Sequence, residues 1–528
     1  MTTNRPTPRS RALFNTLIVA LGYLASRVLG VVRDMFITAQ FGTSPLVDAY
    51  RAAFAIPDLL YLVVAGGALG TALIPVFQQR RHDAGSDEAG KLASSVLNLM
   101  LPCLVSISVV AWIWALPLVQ MTTARGFPAE TQQLTADLMR MLLLQPILLG
   151  IGGIFKAVLE AHEQFSIPTL GSNLYNIGII FGAAVLARWY GIHGVIYGVL
   201  IGAAAFTLVQ IPALRRVTWR YAANAWLHTV GLVDVGKLLL PRLFGQSIWQ
   251  INLASMIAIT SSFGVGAVAA AGYAMQVMLL PHGLVGLSVG TVIFPRLARF
   301  AASGEHEQFG VEASHALQSV LAVALPASVV LWYAPELVVL VLYQRGSFDA
   351  ASAQLTVAAL RGYALGLAGF SVAEIAVRIW FALKNTRVPV IVGAGAVALN
   401  LGLGWWLSQA GTPLQRLSTT ATVFSIANTA EAVVLLWWLM RRYANIRIFD
   451  KLWTWLVGIG GMVVLLQVCI PLLPALPTHN LHSSADWLRV ALHAVVYGIC
   501  GLWGIGWCSQ WFAVLRATRR PVTGNHSA

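Results

Sequence analysis

Several charged residues lie inside long apolar stretches of the chain, where charges are costly and therefore informative. Arg27, Arg33 and Asp34 lie in the first such stretch, and at 100° per residue they fall on one helix face. A charge at mid-bilayer costs about 2.5–3.5 kcal/mol even on the mildest scale, so retained charges usually face a bundle interior or an aqueous cavity. The first stretch therefore predicts a helix with one polar, cationic face.

The second apolar stretch carries a similar set of charges. Asp48, Arg51 and Asp58 share one helix face if the kink expected at Pro57 is ignored. Asp48 and Arg51 are three residues apart and can form an ion pair on that face. The charges of the two stretches could also neutralise one another completely as interhelical ion pairs, and this structural alternative stays open.

Guanidinium groups in a wet cavity of low dielectric are suited to a phosphate. Their planar, forked N–H donors hold its oxygens through paired, charge-assisted hydrogen bonds. In the C-terminal half of the chain, the best candidates for charges that face a cavity are Arg242 and Glu374. Arginines on one side of a cavity and little charge on the other predict a substrate with an anionic head and a bulky uncharged part, such as a lipid-linked sugar phosphate.

The composition requires that these stretches lie in a membrane. Of the 528 residues, 58% are hydrophobic and only 10% are charged, against about 25% charged in ordinary soluble domains. The net charge of +14 does not indicate nucleic-acid binding, because the basic residues form no long cluster beside aromatic residues. No hydrolase or nucleotide-binding motif occurs in a strand-turn-helix context, and the cysteines lack zinc-site spacing. We therefore expect no enzyme activity, no cofactor and no metal site.

Fourteen apolar windows predict an all-α polytopic membrane protein with about fourteen transmembrane helices. The windows lie at residues 13–38, 47–77, 92–119, 134–158, 168–187, 191–213, 236–262, 267–295, 312–342, 353–382, 388–408, 418–440, 453–474 and 487–514. Positive charges accumulate on the cytoplasmic side, so the basic residues orient the helices. With the N-terminus inside, the basic residues of the outer segments are Arg125, Arg188, Arg345, Arg416 and Arg489. We therefore expect an uncleaved first helix and both termini in the cytoplasm.

A repeated motif divides the windows into two halves. Residues 70–75 (GTALIP) recur at 290–295 (GTVIFP), and Ile167-Pro168 recurs as Val388-Pro389. A spacing of six spans implies two pseudo-symmetric six-helix lobes that can rock about a central site, followed by two C-terminal helices. The expected domains are a cytoplasmic N-terminus at 1–11, an N-lobe at 12–214, a cytoplasmic linker at 215–235, a C-lobe at 236–442, spans 13 and 14 at 443–515, and a cytoplasmic tail at 516–528.

Several blocks of the sequence resemble the MurJ (MviN) lipid II flippases, a family of the multidrug/oligosaccharidyl-lipid/polysaccharide (MOP) exporter superfamily. The specific blocks are the first-helix segment 26–34 (SRVLGVVRD) and segment 381–389 (FALKNTRVP). Shorter similar blocks follow the family's order between them, at residues 48–50, 56–60, 67–69, 75–77, 165–168, 250–252 and 344–348.

The resemblance implies a function and a set of partners. The protein would move lipid II, the undecaprenyl diphosphate that carries the peptidoglycan disaccharide-pentapeptide, from the inner to the outer leaflet of the bacterial cytoplasmic membrane. The last two helices would frame a groove for the lipid tail. Arg27 and Arg33 match the family's first-helix arginines, and Asp34 and Asp48 match its acids. A coupling ion and contact with the cell-wall synthesis machinery are further expected partners.

Two positions depart from the family pattern. Many members carry Arg-Arg and then Glu in span 2, where this chain has residues 61–66 (YLVVAG), and Asp-Arg in span 8, where it has Met275-Gln276. A C-lobe head-group arginine is therefore missing at Gln276, and Arg51 could compensate in part. A sister flippase for another undecaprenyl-linked glycan, such as an exopolysaccharide or O-antigen unit, stays open. A cation antiporter would show an acid-dominated cavity, and a non-transporting partner of the cell-wall machinery would tolerate loss of Arg27.

Overall fold

The computed structural model describes residues 8–65, 67–217, 219–283, 288–443, 445–477 and 483–509, and these residues form helices and no strands. The first half of the chain forms α1 Pro8–Phe41, α2 Pro45–Ala65, α3 Gly67–Ala84, α4 Ser86–Ile113, α5 Ala115–Met121, α6 Ala129–Leu142, α7 Leu144–Ala161, α8 Ser166–Phe181, α9 Ala187–Tyr190, α10 Ile192–Leu208 and α11 Ile211–Arg216. The second half forms α12 Leu232–Thr260, α13 Ala267–His282, α14 Ser288–Ser303, α15 His306–Tyr333, α16 Pro335–Leu342, α17 Ala350–Ala364, α18 Leu367–Ala382, α19 Arg387–Leu407, α20 Pro413–Arg442, α21 Leu452–Cys469 and α22 Ser484–Cys508.

The predicted all-α membrane fold is confirmed, because every one of the fourteen apolar windows contains helix. Within the described residues, nine helical segments are long and apolar enough to cross a membrane, or ten if α17 and α18, bent by 48°, form one span. The number fourteen stays a prediction, as does the orientation of the helices. The outermost predicted residues, 1–7 and 510–528, lie outside the described part.

Several predicted spans consist of two helices rather than one. The break between α15 and α16 falls directly before Pro335, whose ring removes a backbone N–H and disfavours continuation of the preceding helix. The span at 92–119 breaks at Trp114, and the span at 134–158 breaks at Leu143. Pro57, in contrast, lies inside α2 without ending it.

The helix bounds confirm the internal repeat. Helices α3, α4 and α5 recur about 220 residues later as α14, α15 and α16, with closely similar lengths. Their neighbours recur as well, because α7 contacts α3 and α4 just as α18 contacts α14 and α15. The two non-glycine residues with positive φ in the described chain, Glu163 at 60° and Lys384 at 57°, stand at corresponding positions after α7 and α18.

The chain forms two compact units. Unit 1 comprises residues 1–272 and 342–352, and unit 2 comprises residues 273–341 and 353–528. Helix α12, the first helix of the predicted C-lobe, packs on α2 and α3 within unit 1. The predicted lobe boundary at 215–235 remains a prediction about the repeat.

Each unit has its own apolar core. Leu73, Leu92 and Val158 are buried between α3, α4 and α7 in unit 1. In unit 2, one core lies between α15, α18 and α20, and a second lies where α21 and α22 meet α15. In a membrane such side chains exchange lipid tails for protein, so van der Waals packing rather than transfer from water holds these helices together.

Candidate functional site

The cationic face predicted for α1 contains an ion pair between neighbouring residues. Arg33 Nε donates a hydrogen bond of 2.9 Å to Asp34 Oδ1. The Asp34 side chain is 3% exposed, whereas 25% of the Arg33 side chain remains accessible. Asp34 therefore lies inside the helix bundle and fixes the orientation of a guanidinium that keeps part of its surface free.

Arg51 of α2 joins this pair. Its Nη2 lies 3.8 Å from Asp34 Oδ2, and 22% of its side chain is exposed. The guanidinium lies against Gly272 of α13, where a Cβ would overlap it. Two arginines therefore share one buried carboxylate, and the absence of a side chain at Gly272 makes room for the second.

The Asp48 carboxylate is held by backbone N–H groups in addition to its interaction with Arg51. Its Oδ2 accepts from the Gly266 N–H at 2.6 Å and its Oδ1 accepts from the Ala269 N–H at 2.7 Å. Asp48 is 2% exposed, and these two N–H groups belong to the start of α13. The arrangement is that of a carboxylate at a helix N-terminus, with an additional electrostatic interaction with Arg51. The predicted role of Asp48 in substrate binding stays a prediction, and its contacts are structural.

Asp58 lies in a polar group that the sequence did not indicate. Gln145 Nε2 of α7 donates to Asp58 Oδ1 at 3.3 Å and to the Tyr175 hydroxyl of α8 at 3.1 Å. Arg33 interacts electrostatically with Asp58 and with Tyr175. A buried Gln among apolar residues was the only available signal for Gln145, since no helix periodicity connects positions 58, 145 and 175.

Arg27 differs from the other arginines of the site. It is half-buried on α1, next to Ser26, whose hydroxyl accepts a hydrogen bond of 3.1 Å from Asn176 Nδ2 of α8. In the described part of the chain, the Arg27 guanidinium has neither a hydrogen bond nor an ion pair. It therefore has the donors and the charge with which to bind an anion.

The structure brings six of the seven predicted site residues into unit 1. Arg27, Arg33, Asp34, Asp48, Arg51 and Asp58 lie on α1 and α2, which both contact neighbours of the same bundle. Gln276 is half-buried on α13 and belongs to unit 2. The Arg242 side chain lies outside the described residues.

Unit 2 has a charged group of its own. Arg378 Nε and Nη2 donate to Glu374 Oε1 at 3.1 and 2.8 Å, one turn apart on α18. A Cβ at Gly290 of α14 would overlap the Arg378 guanidinium. Glu431 of α20 is close enough to interact electrostatically with Glu374. The sequence indicated Glu374, whereas Arg378 and Glu431 were missed although both are charges inside apolar windows.

Metal binding finds no side-chain cluster to support it. Within the ranges that the structure describes, no group of three or more His, Cys, Asp or Glu side chains is placed to hold a metal ion. The guanidinium groups of unit 1 offer charge-assisted hydrogen bonding, which suits phosphate oxygens.

Sequence comparison places these features in one family. The family model described as "Lipid II flippase MurJ" matches residues 37–484. A protein of Bdellovibrio bacteriovorus named as a probable lipid II flippase MurJ is 27% identical over 521 residues, which cover 97% of this chain and 98% of that protein. A protein of Burkholderia cenocepacia named lipid II flippase MurJ is 26% identical over 398 residues, covering 74% of this chain and 77% of that protein.

Solved structures share the fold. A structure described as lipid II flippase MurJ in an inward closed conformation matches with a TM-score of 0.77 at 22% identity, covering 95% of this chain and 100% of that one. An inward-facing multidrug resistance MATE transporter of the MOP superfamily matches with a TM-score of 0.66 at 15% identity, covering 80% and 95%. The predicted superfamily fold is confirmed.

Proposed function

Because this chain belongs to the MurJ family of lipid II flippases, we propose that it moves lipid II from the inner to the outer leaflet of the bacterial cytoplasmic membrane. The observation that carries the proposal is the guanidinium-bearing face of α1. Arg27 has no partner in the described chain, and Arg33 keeps 25% of its side chain exposed beside Asp34. The diphosphate of lipid II is the substrate group that this face would bind.

The proposed binding step follows from the contacts of Arg33. Its Nε is occupied by Asp34, so the remaining N–H donors of the guanidinium have a fixed direction before any ligand arrives. A preoriented donor loses less entropy when it binds, and an anion in a cavity of low dielectric is held more strongly than in water. Arg27 supplies a charge that no carboxylate of the described residues neutralises. We propose that the diphosphate binds first to this pair, and that alternating access of the two repeats carries it across.

The direction of transport needs an energy source outside the chain. Moving one charge through 100 mV of membrane potential supplies about 2.3 kcal/mol, so an ion gradient or the potential is sufficient to bias flipping. Asp34, Asp48 and Asp58 are the carboxylates of α1 and α2 to which a cation could be coupled. Their described contacts to Arg33, to backbone N–H groups and to Gln145 favour Glu431 of unit 2 as a further candidate.

A sister flippase for another undecaprenyl-linked glycan is the second candidate. The observation that favours it is the replacement of the usual span 8 arginine by Gln276 and of the span 2 arginines by residues 61–66. Both candidates use the same diphosphate, so they differ in the sugar and not in the arginines of α1.

Replacement of an essential lipid II flippase by this chain in a depletable bacterial strain tests the proposal. Growth on depletion, with no accumulation of lipid II in the inner leaflet, is the expected result. An Arg27→Ala variant that is made and inserted normally serves as the matched control and should not support growth. Failure of the unmodified chain to sustain growth, with accumulation of lipid II, would reject lipid II as the substrate and leave the sister glycan.

A further inference from the structure

A second basic site lies in unit 1, outside the α1 and α2 cluster. A cleft of about 410 Å³ is lined by Arg81, Ser86, His162, Gln164, Arg216 and Val217. These residues come from the end of α3, the start of α4, the turn after α7 and the end of α11. The volume falls within the range of about 300–1,000 Å³ that is common for small-ligand sites. Four elements therefore converge on one polar cleft.

Arg81 of α3 is oriented by a hydrogen bond to the end of α7. Its Nη1 donates at 3.3 Å to the carbonyl oxygen of Ala161, the last residue of α7. Gln78 Nε2 donates to the same carbonyl at 3.5 Å. A guanidinium has five N–H donors, so this contact orients Arg81 and leaves most of its donors for a ligand.

His162 is oriented in a similar way. Its Nδ1 lies 2.8 Å from the carbonyl oxygen of Val158, and its ring stacks edge-on against Phe77 at 5.6 Å. Because a carbonyl oxygen only accepts, the proton must be on Nδ1, and Nε2 is the nitrogen left for a ligand. The protonated ring would donate from Nε2 as well.

The side chains that line the cleft carry positive charge and no carboxylate. Among the nearby acids, Glu88 pairs with Lys91 at 2.7 Å and Glu160 lies 3.9 Å from Lys156. Asp87 and Glu163 adjoin lining residues in the sequence and form no ion pair within the described residues. Arg216, at the end of α11, is exposed to solvent. Two arginines, an imidazole, an amide and a hydroxyl thus surround a space large enough for a phosphate and the atoms attached to it.

We propose that this cleft binds the phosphate group of an anionic phospholipid. The two arginines hold the phosphate oxygens through charge-assisted hydrogen bonds, and Ser86 and Gln164 contact the polar atoms that follow. The lining segments lie at the ends of spans 2, 4 and 6 and at the start of span 3. The distribution of basic residues assigns these ends to the cytoplasmic side, where phospholipid head groups are present. The bound lipid links α3, α4, α7 and α11, and so it stabilises unit 1 without taking part in the transport step. Free inorganic phosphate offers the same chemistry and is the other source to distinguish.

Native mass spectrometry of the full-length protein in detergent tests the site. The probes are dioctanoyl phosphatidylglycerol, dioctanoyl phosphatidylcholine as the zwitterionic lipid of equal chain length, and inorganic phosphate. Loss of both lining arginines in Arg81→Gln/Arg216→Gln should weaken phosphatidylglycerol binding at least tenfold. The matched control is Arg80→Gln/Arg215→Gln, which removes the same charge from the adjacent positions and should bind as the parent does.

The outcomes separate a built site from general surface charge. Equal weakening in both double variants, or unchanged binding in the Arg81/Arg216 variant, would overturn the proposal. Phosphatidylcholine bound as tightly as phosphatidylglycerol would overturn it as well. If inorganic phosphate at the same concentration as the lipid competes with phosphatidylglycerol in the parent and not in the Arg81/Arg216 variant, that result would identify aqueous phosphate as the ligand of the cleft. If inorganic phosphate does not compete, the ligand is the phospholipid of the leaflet. If the glutamine variant unfolds, Arg81→Lys/Arg216→Lys keeps the charge and should show intermediate weakening, because an ammonium lacks the forked donors.

Discussion

The charged group of unit 1 contains a cation without a partner among the described residues, whereas the charged group of unit 2 contains an additional acid. In unit 1, Asp34 contacts Arg33 and Asp48 accepts two backbone N–H groups, whereas Arg27 has no partner among the described residues. In unit 2, Arg378 is held twice by Glu374, and Glu431 adds a second carboxyl group. Helices α1 and α2 of unit 1 thus carry an available cation, and helices α18 and α20 of unit 2 carry an additional acid.

The helices repeat between the two halves of the chain, whereas the charged groups do not. Helices α3, α4 and α7 match α14, α15 and α18 in length and in the helices that they contact. The repeat of these helices therefore does not require the same charged residues in both halves. The charged groups can therefore have different roles in the two units. We propose that unit 1 recognises the anionic head of the substrate and that unit 2 supplies the carboxyl group that a coupling cation requires.

The largest loss of stability is expected from Asp48→Ala. This change removes two buried, charge-assisted hydrogen bonds to Gly266 and Ala269, each contributing about 1.5–3 kcal/mol. We expect the free energy of unfolding in detergent to fall by about 3 kcal/mol or more. Asp48→Asn keeps one acceptor oxygen and should lose about half as much. An Asp48→Ala protein as stable as the parent would remove Asp48 from its structural role.

Glu374→Gln should have the next largest effect, because it leaves the Arg378 guanidinium beside Gly290 without its carboxylate. Both side chains are partly exposed, at 36% and 21%, so water lowers the cost to about 1–2 kcal/mol. Adding Arg378→Gln should recover part of this loss, as a double-mutant cycle of chemical unfolding would measure. Strict additivity of the two changes would show that the pair contributes nothing to unit 2.

Asp349, a carboxylate of unit 1 outside the membrane-spanning helices, makes a smaller contribution to stability, and this contribution depends on pH. The Ser352 backbone N–H donates to Asp349 Oδ1 at 2.8 Å, and this bond, with the Ser352 hydroxyl, holds the pKa of Asp349 below its usual value. Asp349→Ala should cost about 1 kcal/mol at neutral pH, as for other helix N-caps. A lowered folded-state pKa means that the contribution is present above the unfolded pKa of about 3.9 and is lost as the pH falls through the folded value. The difference in melting temperature between parent and variant should therefore vanish in acid; a difference that persists there would contradict the assignment.

The smallest change in stability is expected from Glu431→Gln. Glu431 accepts no hydrogen bond within the described residues, so the uncharged amide should leave the free energy of unfolding within about 0.5 kcal/mol of the parent's. Transport driven by an ion gradient should nevertheless fall sharply, if Glu431 supplies the carboxyl group for coupling. Asp58→Asn is the unit 1 comparison and should retain coupled transport. The opposite pattern, with Asp58→Asn uncoupled and Glu431→Gln active, would move the coupling group to unit 1.

The sequence predicted those features that one helix determines by itself. Periodicity placed Arg27, Arg33 and Asp34 on one face of α1, and apolar windows located helix throughout the chain. Periodicity cannot report contacts between distant segments. The hydrogen bonds from Gly266 and Ala269 to Asp48 join positions more than 200 residues apart, and they add a link between α2 and α13 to the interaction of Asp48 with Arg51.

The remaining omissions have related causes. Glu431 was a single charge in a long apolar window, and nothing in its own helix indicated that it lies near Glu374 of α18. The breaks at Trp114 and Leu143 have a local signal that was overlooked, because Pro117 and Pro146 each lie four residues after the end of the preceding helix and cannot donate to its last carbonyl. Pro57 lies inside α2 without ending it, and the kink expected there stays a prediction.

Flipping of a fluorescent lipid II by the purified chain in proteoliposomes tests the central claim, that Arg27 binds the substrate diphosphate. Arg27→Ala should lower the initial rate at least tenfold, a change of about 1.4 kcal/mol, and leave the melting temperature unchanged because no described ion pair is broken. Arg27→Lys should be intermediate, since an ammonium keeps the charge but not the forked donors. Arg125→Ala, which removes the same charge from a predicted outer segment, should flip at the parent rate. An Arg27→Ala protein that flips lipid II as fast as the parent would contradict a direct role of Arg27 in binding the diphosphate.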